Sequence, residues 1–496
     1  MKRKGITKME LNYIIYMSLF FAYMVAVISV ALVVVLENRQ PVKTVSWLLV
    51  ISSFPIVGLV LYAFFGRNIR RSVLVSKACR TQLARRSAHK FYRSDTPEIP
   101  EGQHHLVSLF RRQSAAFPFA DNRVDVFTFG SCLLSQMLAD MRAARHHIHI
   151  EFYIFEDDEV GHEVRKCLME KAEQGVEIRV VYDDVGCWNV PARFYNKMKK
   201  AGVEVYGFLP VRFPTLTRKV NYRNHRKIVV IDGKVGYVGG FNLADRYFKN
   251  FGKKRAWRDT HLRLQGNAVL GLQRAFLADW HVASGRMVSD EKYFPVDVIA
   301  SREGEVHGAV VSGCGAVVQI VTAIPTGKRF DIMQGLVLML MRAKSYCYIQ
   351  SPYFIPTDRV LYALQTAALA GVDVRIMMPE CADKKILAWA SYSYLSDVMR
   401  AGVRVYLYQS VFLHSKMWVS DDAVLSCGST NIDFRSFEHN FEINAFVYNT
   451  GIARKMRDQF IYDQQHCRLL NLERWVTRSA WQRIGASLVR LFTPLL

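Results

Sequence analysis

The spacing His-x-Lys-x4-Asp occurs twice in the 496-residue chain: His225, Lys227 and Asp232 within NHRKIVVIDG, and His414, Lys416 and Asp421 within LHSKMWVSDD. Each copy is followed at the same distance by small residues and an asparagine, GGFN ending at Asn242 and CGSTN ending at Asn431. Residues i and i+2 of a strand project from one face, so an imidazole and an ammonium emerge together in each copy. Histidine can act as nucleophile or proton carrier, and a lysine beside it can clamp an anionic oxygen. Asparagine amides add donors, and the glycines let backbone approach closely. Doubled, the set makes one symmetric anion site that suits a phosphodiester. Asp232 and Asp421 stand at an odd offset from their histidines, so a regular strand turns their carboxylates away, and both read as structural turn residues. A carboxylate further on is better placed to orient imidazole and favour its charged form. Glu442 in HNFEIN follows His414; Asp259 in WRDTHLRL is its looser counterpart after His225. The His225–Asp259 spacing is six residues longer, and an insertion around KNFGKKR must absorb this if the two acids are equivalent.

These motifs need a scaffold, and the sequence supplies it as a duplication. MRAARHHIHIEFYIF from Met141 matches MRAKSYCYIQSPYF from Met341, QGVEIRVVYDD matches AGVDVRIMMPE, and AGVEVYGF matches AGVRVYLY. A period near 200 residues means two similar domains rather than a solenoid. HHIHIEFYIF, VEIRVVYDD and VEVYGF read as strands, and GHEVRKCLMEKAEQG as a helix ending at Gly175. KIVVID and VGYVGG read as a hairpin turned at Asp232-Gly233. Strand–helix alternation predicts two tandem α/β sandwiches with a mixed sheet between helices, over residues 101–300 and 301–470. Tyr153 and Tyr353 fall at matching positions and either line the entrance or pack in the core. Asp183 and Asp184 occur in the first copy alone, and either bind hydroxyls of a substrate or cap a strand end.

Residues 13–36 and 44–66 carry no charge, and each is long enough to cross a bilayer. The short link ENRQPVK predicts a hairpin over residues 1–66. Lys2, Arg3, Lys4 and Lys8 precede it, and residues 67–100 follow with many Lys and Arg and no acid before Asp95; positive flanks place both termini in the cytoplasm. Residues 471–496 form an amphipathic helix that either lies on the membrane or packs on the second repeat. Lys and Arg number 66 against 43 Asp and Glu, a net charge of +23, which implies an anionic partner, nucleic acid or acidic lipid. Nine scattered cysteines without a C-x-x-C pair point to reduced thiols, with no disulfide framework and no zinc site.

On the motifs NYRNHRKIVVIDGKVGYVGGFN, FLHSKMWVSDDAVLSCGSTNIDFRSFEHNFEIN, YIQSPYFIP and VVYDDVG, with the hairpin around ENRQPVKTVSWLL, the chain resembles the phospholipase D superfamily. Within it, the chain resembles the membrane-anchored bacterial cardiolipin synthases with two HKD motifs. The resemblance implies tandem phospholipase D-like domains and transfer through a phosphohistidine, without metal or cofactor. One phosphatidylglycerol would give its phosphatidyl group to another, yielding cardiolipin and glycerol. Carried onto this chain, His225 is the nucleophile and His414 the acid and base, with near symmetry leaving the reverse open. Lys227, Lys416, Asn242 and Asn431 hold phosphoryl oxygens, and Asp232 and Asp421 complete the signature. Asp259, Glu442, Tyr153 and Tyr353 join the substrate site. The resemblance further implies a multi-pass protein of the bacterial inner membrane, with its catalytic domains on the cytoplasmic side. A phospholipase D that passes the group to water is the alternative. Two membrane spans argue against nucleic acid as substrate, and paired histidines argue against a binding-only scaffold.

Overall fold

The computed structural model describes residues 8–36, 41–62, 79, 81–86, 98–211, 221–250, 256–295, 306–325, 331–491 and 493. The chain divides into an N-terminal unit, Met1–Ile69 together with Val211–Asn221, and a larger unit, Arg70–Pro210 with Tyr222–Leu496, that holds both repeats.

The N-terminal unit contains α1 (Lys8–Leu36), α2 (Pro41–Ser53) and α3 (Pro55–Leu61). Among the described residues, α1 alone is long and apolar enough to cross a membrane, over Leu11–Leu36. Apolar side chains point outward all round it, with Tyr16 72% and Phe21 70% exposed, as suits a helix whose solvent is lipid. Val34, Ile51 and Tyr62 form a small buried cluster that ties α1 to the segments after it. The second expected span, 44–66, is not one helix. Proline lacks an amide hydrogen and pushes the preceding residue out of the helical region. Phe54, before Pro55, takes φ −126° and ψ 83°, and the segment breaks there into α2 and α3. The link 37–40, residues 63–66 and most of the basic stretch 67–100 lie outside the described residues.

The larger unit is built on a sheet. Repeat 1 supplies β1 (Phe119–Phe127), β2 (His147–Phe152), β3 (Glu177–Asp183), β4 (Glu204–Phe208), β5 (Arg223–Asn224), β6 (Lys227–Ile231), β7 (Val235–Gly239) and β8 (His261–Gln265). Repeat 2 supplies β9 (Val311–Ala323), β10 (Tyr346–Gln350), β11 (Phe354–Ile355), β12 (Asp373–Pro379), β13 (Arg404–Tyr408), β14 (Met417–Ser420), β15 (Val424–Gly428), β16 (Ile432–Asp433), β17 (Asn440–Tyr448) and β18 (Cys467–Leu469). Repeat 1 runs β4-β3-β2-β6-β7-β8-β1, and repeat 2 mirrors it as β9-β17-β15-β14-β10-β12-β13 with β18 at the edge. The halves join through the antiparallel pair β1–β9, so one sheet passes through both repeats.

Both sheet faces are covered, and the strands show why. In β2 the apolar residues Ile148, Ile150 and Phe152 enter one core with Leu133, Met137 and Val164. The alternate residues face the helix Val269–Ser284, where His147 and His149 both bond Gln273. In β10, Cys347 and Ile349 enter the second core, while Tyr348 stacks on Phe460 of the helix Thr450–Gln464. Each motif hairpin turns through left-handed residues, Asp232 (φ 53°) with Gly233 (φ 65°), and Asp421 (φ 51°) with Asp422 (φ 52°). Gly233 is required twice over, since a Cβ there would meet Pro295 at 2.5 Å.

Candidate active site

Each histidine sits on a segment that crosses to the other repeat. β5, leading into His225, pairs in parallel with Asn440–Phe441 at the start of β17, and the His225 N–H donates to the Phe441 carbonyl at 3.0 Å. Leu413, leading into His414, bridges Arg258, and the His414 N–H donates to the Arg258 carbonyl at 2.7 Å. The next residues after those carbonyls are Glu442 and Asp259. His225 Nδ1 therefore lies 3.0 and 3.1 Å from the two Glu442 oxygens, and His414 Nδ1 lies 2.5 Å from Asp259 Oδ2. Sequence order pairs each histidine with the acid downstream in its own repeat; the fold exchanges them. Their equivalence nonetheless holds. Gly239 faces His261 and Gly428 faces Asn444, which puts Asp259 and Glu442 at one register position. These acids touch imidazole, so the contacts they make position the histidines.

The carboxylates are themselves fixed. Glu442 accepts from Ser429 Oγ and from Asn440 Nδ2 at 3.1 Å, and Asp259 accepts from the Thr260 N–H at 2.7 Å. Gly240 lies against Asp259, where a Cβ would come within 2.0 Å of Oδ1. Ion pairing with the histidines and lysines holds both acids below the usual carboxylate range despite burial. Burial lowers both imidazoles: His225 falls below its ordinary value, and His414, pressed further by Lys416, falls to about 3. With Nδ1 committed to a carboxylate, each ring is left to work through Nε2, which has no hydrogen-bond partner among the described residues.

The lysines converge on the same place. Lys227 Nζ donates to the His225 carbonyl at 2.6 Å; Lys416 Nζ donates to the His414 carbonyl and lies 2.8 Å from His414 Nδ1. Both are fully buried, and neither makes a close carboxylate pair, Lys416 standing 4.0 Å from Asp259. Burial drives Lys227 well below its ordinary value and Lys416 to about 8. Two desolvated ammonium groups, only partly offset by Asp259 and Glu442, make a strong site for an anionic oxygen.

The remaining expected residues divide. Asn431 is buried with Oδ1 unpartnered among the described residues, whereas Asn242 accepts from Ile154 N–H at 3.3 Å and donates to Tyr247 Oη at 2.7 Å. Asn242 thus braces the wall, with one of its two amide N–H groups committed to Tyr247. Asp232 accepts from the N–H groups of Arg145, His146 and His147 at 2.8–2.9 Å, and Asp421 does the same for Lys344, Ser345 and Tyr346. Each pins its hairpin to the start of β2 or β10, away from the histidines. Asp183 is a strand-end anchor, accepting from Val185, Gly186 and Asn224 N–H and pairing Arg223, as the capping reading expects. Tyr153 packs its ring 5.0 Å from His225. Tyr353 is not its equivalent: Phe155 meets Leu243 as Phe354 meets Ile432, so Tyr353 matches Ile154. It reaches Asp383 instead, at 3.0 Å.

Sequence reasoning missed the wall around His414, formed by Tyr247, Trp257 and Phe412. It also missed the polar layer behind the site, where Arg226 pairs with Asp279 and Arg258 with Asp463. An arginine directly after His225 and one directly before Asp259 were the available signals.

A mixed sheet with two crossed His–carboxylate pairs and two buried lysines defines a two-motif phospholipase D-like enzyme. A family model described as cardiolipin synthase, PLD-like domain, matches residues 137–261 and 336–464, and one described as phospholipase D-nuclease N-terminal matches 22–67. A cardiolipin synthase of Geobacillus kaustophilus is 40% identical over 95% of this chain and 92% of its own. The major cardiolipin synthase of Bacillus subtilis is 37% identical over 97% and 99%. The crystal structure of a phosphatidylserine synthase from Haemophilus influenzae shares the fold, with TM-score 0.60 at 14% identity over 79% of this chain and 98% of that one. The chain belongs to the cardiolipin synthase family, phosphatidyltransferases of the phospholipase D superfamily.

Proposed function

We propose that the chain joins two phosphatidylglycerols into cardiolipin and glycerol. The crossed histidine–carboxylate pairs over two buried lysines carry this reading. His225 Nε2 attacks the phosphorus of the first lipid while the bond to the departing glycerol oxygen breaks. His414 Nε2–H gives that oxygen its proton. His414 then takes the proton from a glycerol hydroxyl of the second lipid, whose oxygen displaces His225 from phosphorus. Lys227, Lys416 and Asn431 hold the phosphoryl oxygens, whose charge grows in each transition state.

The roles follow the surroundings. Glu442 fixes His225 through both oxygens and orients a lone pair outward. Asp259, against His414 Nδ1, opposes the lowering by burial and Lys416 and so supports a proton on His414. A bound phosphodiester offsets Lys416, and His414 takes up its proton with the substrate. Residues 101–300 and 301–470 act as the two half-domains of this site. α1 anchors the chain in the bilayer; α2, α3 and the residues after them complete a second pass, with the basic flanks of both helices at the cytoplasmic leaflet.

The test is mass spectrometry of products from purified protein incubated with phosphatidylglycerol and excess EDTA. Cardiolipin with glycerol is expected. Phosphatidic acid with glycerol would make water the acceptor, and activity that returns only with a divalent metal would overturn the metal-free transfer.

A further inference from the structure

The helix Ala480–Leu491 packs by one side on the helix Lys385–Arg400. Gly485 fits against Trp389, where a Cβ would come to 2.6 Å of the ring, and Arg490 donates to Asp397 at 3.0 Å. The opposite stripe is bare: Trp481 is 83% exposed, Ile484 50%, Leu488 55% and Leu491 73%. Ile386 and Trp389 extend it from the partner helix, each 48% exposed. Arg474 and Arg483 are exposed in the same segment, which has no acidic residue after Glu473.

This surface adjoins the site. Asn431 is followed by Ile432, which pairs with Phe354, and the Phe354 N–H donates to Ser391 Oγ of the helix Lys385–Arg400 at 3.0 Å. A second copy of the chain would bring arginine to arginine across the stripe. An anionic bilayer supplies opposite charge and an interface suited to tryptophan.

We propose that the Trp481–Leu491 stripe, with Ile386 and Trp389, docks on the anionic membrane surface and holds the active site at headgroup depth, so that lipid enters without leaving the bilayer. The inference rests on the phospholipid reading of the site. Its test is the full chain reconstituted in phosphatidylglycerol–phosphatidylcholine vesicles, wild type against Trp481→Glu/Leu488→Glu. Replacing two exposed apolar side chains of the stripe by carboxylates should lower turnover of bilayer phosphatidylglycerol by about tenfold or more. Turnover of a short-chain, monomeric phosphatidylglycerol should stay within about twofold, because the stripe connects to the site only through the helix Lys385–Arg400 and Phe354. Equal loss on both substrates, or no loss on either, overturns the proposal. Hydrogen exchange of residues 480–491, in nanodiscs holding one chain each, gives a readout free of activity. Wild type should be protected and the variant not; protection that needs two chains per disc would mean a second copy covers the stripe. Wild type inactive on both substrates but protected would sink the synthase reading and leave the docking intact.

Discussion

The two half-sites share a plan and differ in their fittings. On one side a glutamate reaches His225 with two oxygens, and Ser429 donates to that carboxylate. On the other, the shorter Asp259 reaches His414 with one oxygen, and the position of Ser429 is taken by Gly240, because a Cβ would collide with the carboxylate. Acid length and the residue beneath it change together, as close packing requires. The cations differ as well: each bonds its own histidine's carbonyl, but Lys416 Nζ also lies 2.8 Å from His414 Nδ1, whereas Lys227 lies 5.5 Å over the Tyr153 ring. A duplicated site thus holds two imidazoles in unequal fields. Transfer needs that inequality, since one must offer a lone pair while the other holds a proton.

The sharpest break is at the histidines. His225→Ala should leave no measurable cardiolipin formation, and His414→Ala should cost roughly 10²–10⁴-fold. They should also fail differently: His414→Ala accumulates phosphatidyl-histidine on a good leaving-group substrate, and His225→Ala accumulates none. The reverse pattern, read by mass spectrometry of the trapped protein, exchanges the two roles. The crossed pairing predicts the next effects. Asp259→Asn should accumulate the intermediate as His414→Ala does, and Glu442→Gln should resemble His225→Ala, each losing roughly 10²-fold or more. If acids served their own repeats, the two phenotypes would swap.

A second contrast lies one strand over. Repeat 1 buries His147 and His149 in β2, where repeat 2 has Tyr346 and Tyr348 in β10. Burial holds His147 down at about 4 and puts His149 well below its ordinary value. Their lowered values mean that the unfolded chain binds more protons below about pH 6.5, so stability falls as pH falls from there toward 4. His147 alone should cost roughly 3 kcal/mol by pH 4. Denaturant unfolding at pH 7 and pH 4.5 should show the loss, and His147→Tyr should shrink it. An unchanged pH dependence in that variant would remove the histidine from the account.

Periodicity made much of this legible. The repeat, the β2 and β3 strands, the Asp232-Gly233 hairpin and both His-Lys pairs lie in local pattern, and strand alternation alone turns Asp232 and Asp421 away from the chemistry. Crossing is not local. That Glu442 belongs to His225 depends on β5 lying beside β17, a contact between residues more than two hundred positions apart. The Tyr153–Tyr353 match failed by a single residue, because the alignment carried across the helix–strand junction while the ladder shifts there. Within 44–66, the break at Phe54 follows from one proline, outweighed in composition by its apolar neighbours.

The smallest effect separates the two lysines. Lys416 sits at about 8, lowered by burial and only partly restored by Asp259 and Glu442. Its ammonium is present below that pH and lost above it, so the anion site weakens as pH rises. With the free enzyme as reference, kcat/KM should fall about tenfold per pH unit above 8, while kcat, read on bound lipid, changes less. Arginine cannot be deprotonated in this range. Lys416→Arg should therefore flatten the alkaline limb, even where its bulk lowers the rate at every pH, whereas Lys227→Arg should leave the limb near 8 in place. A limb that survives Lys416→Arg and disappears in Lys227→Arg would assign the clamping charge to the other half of the site.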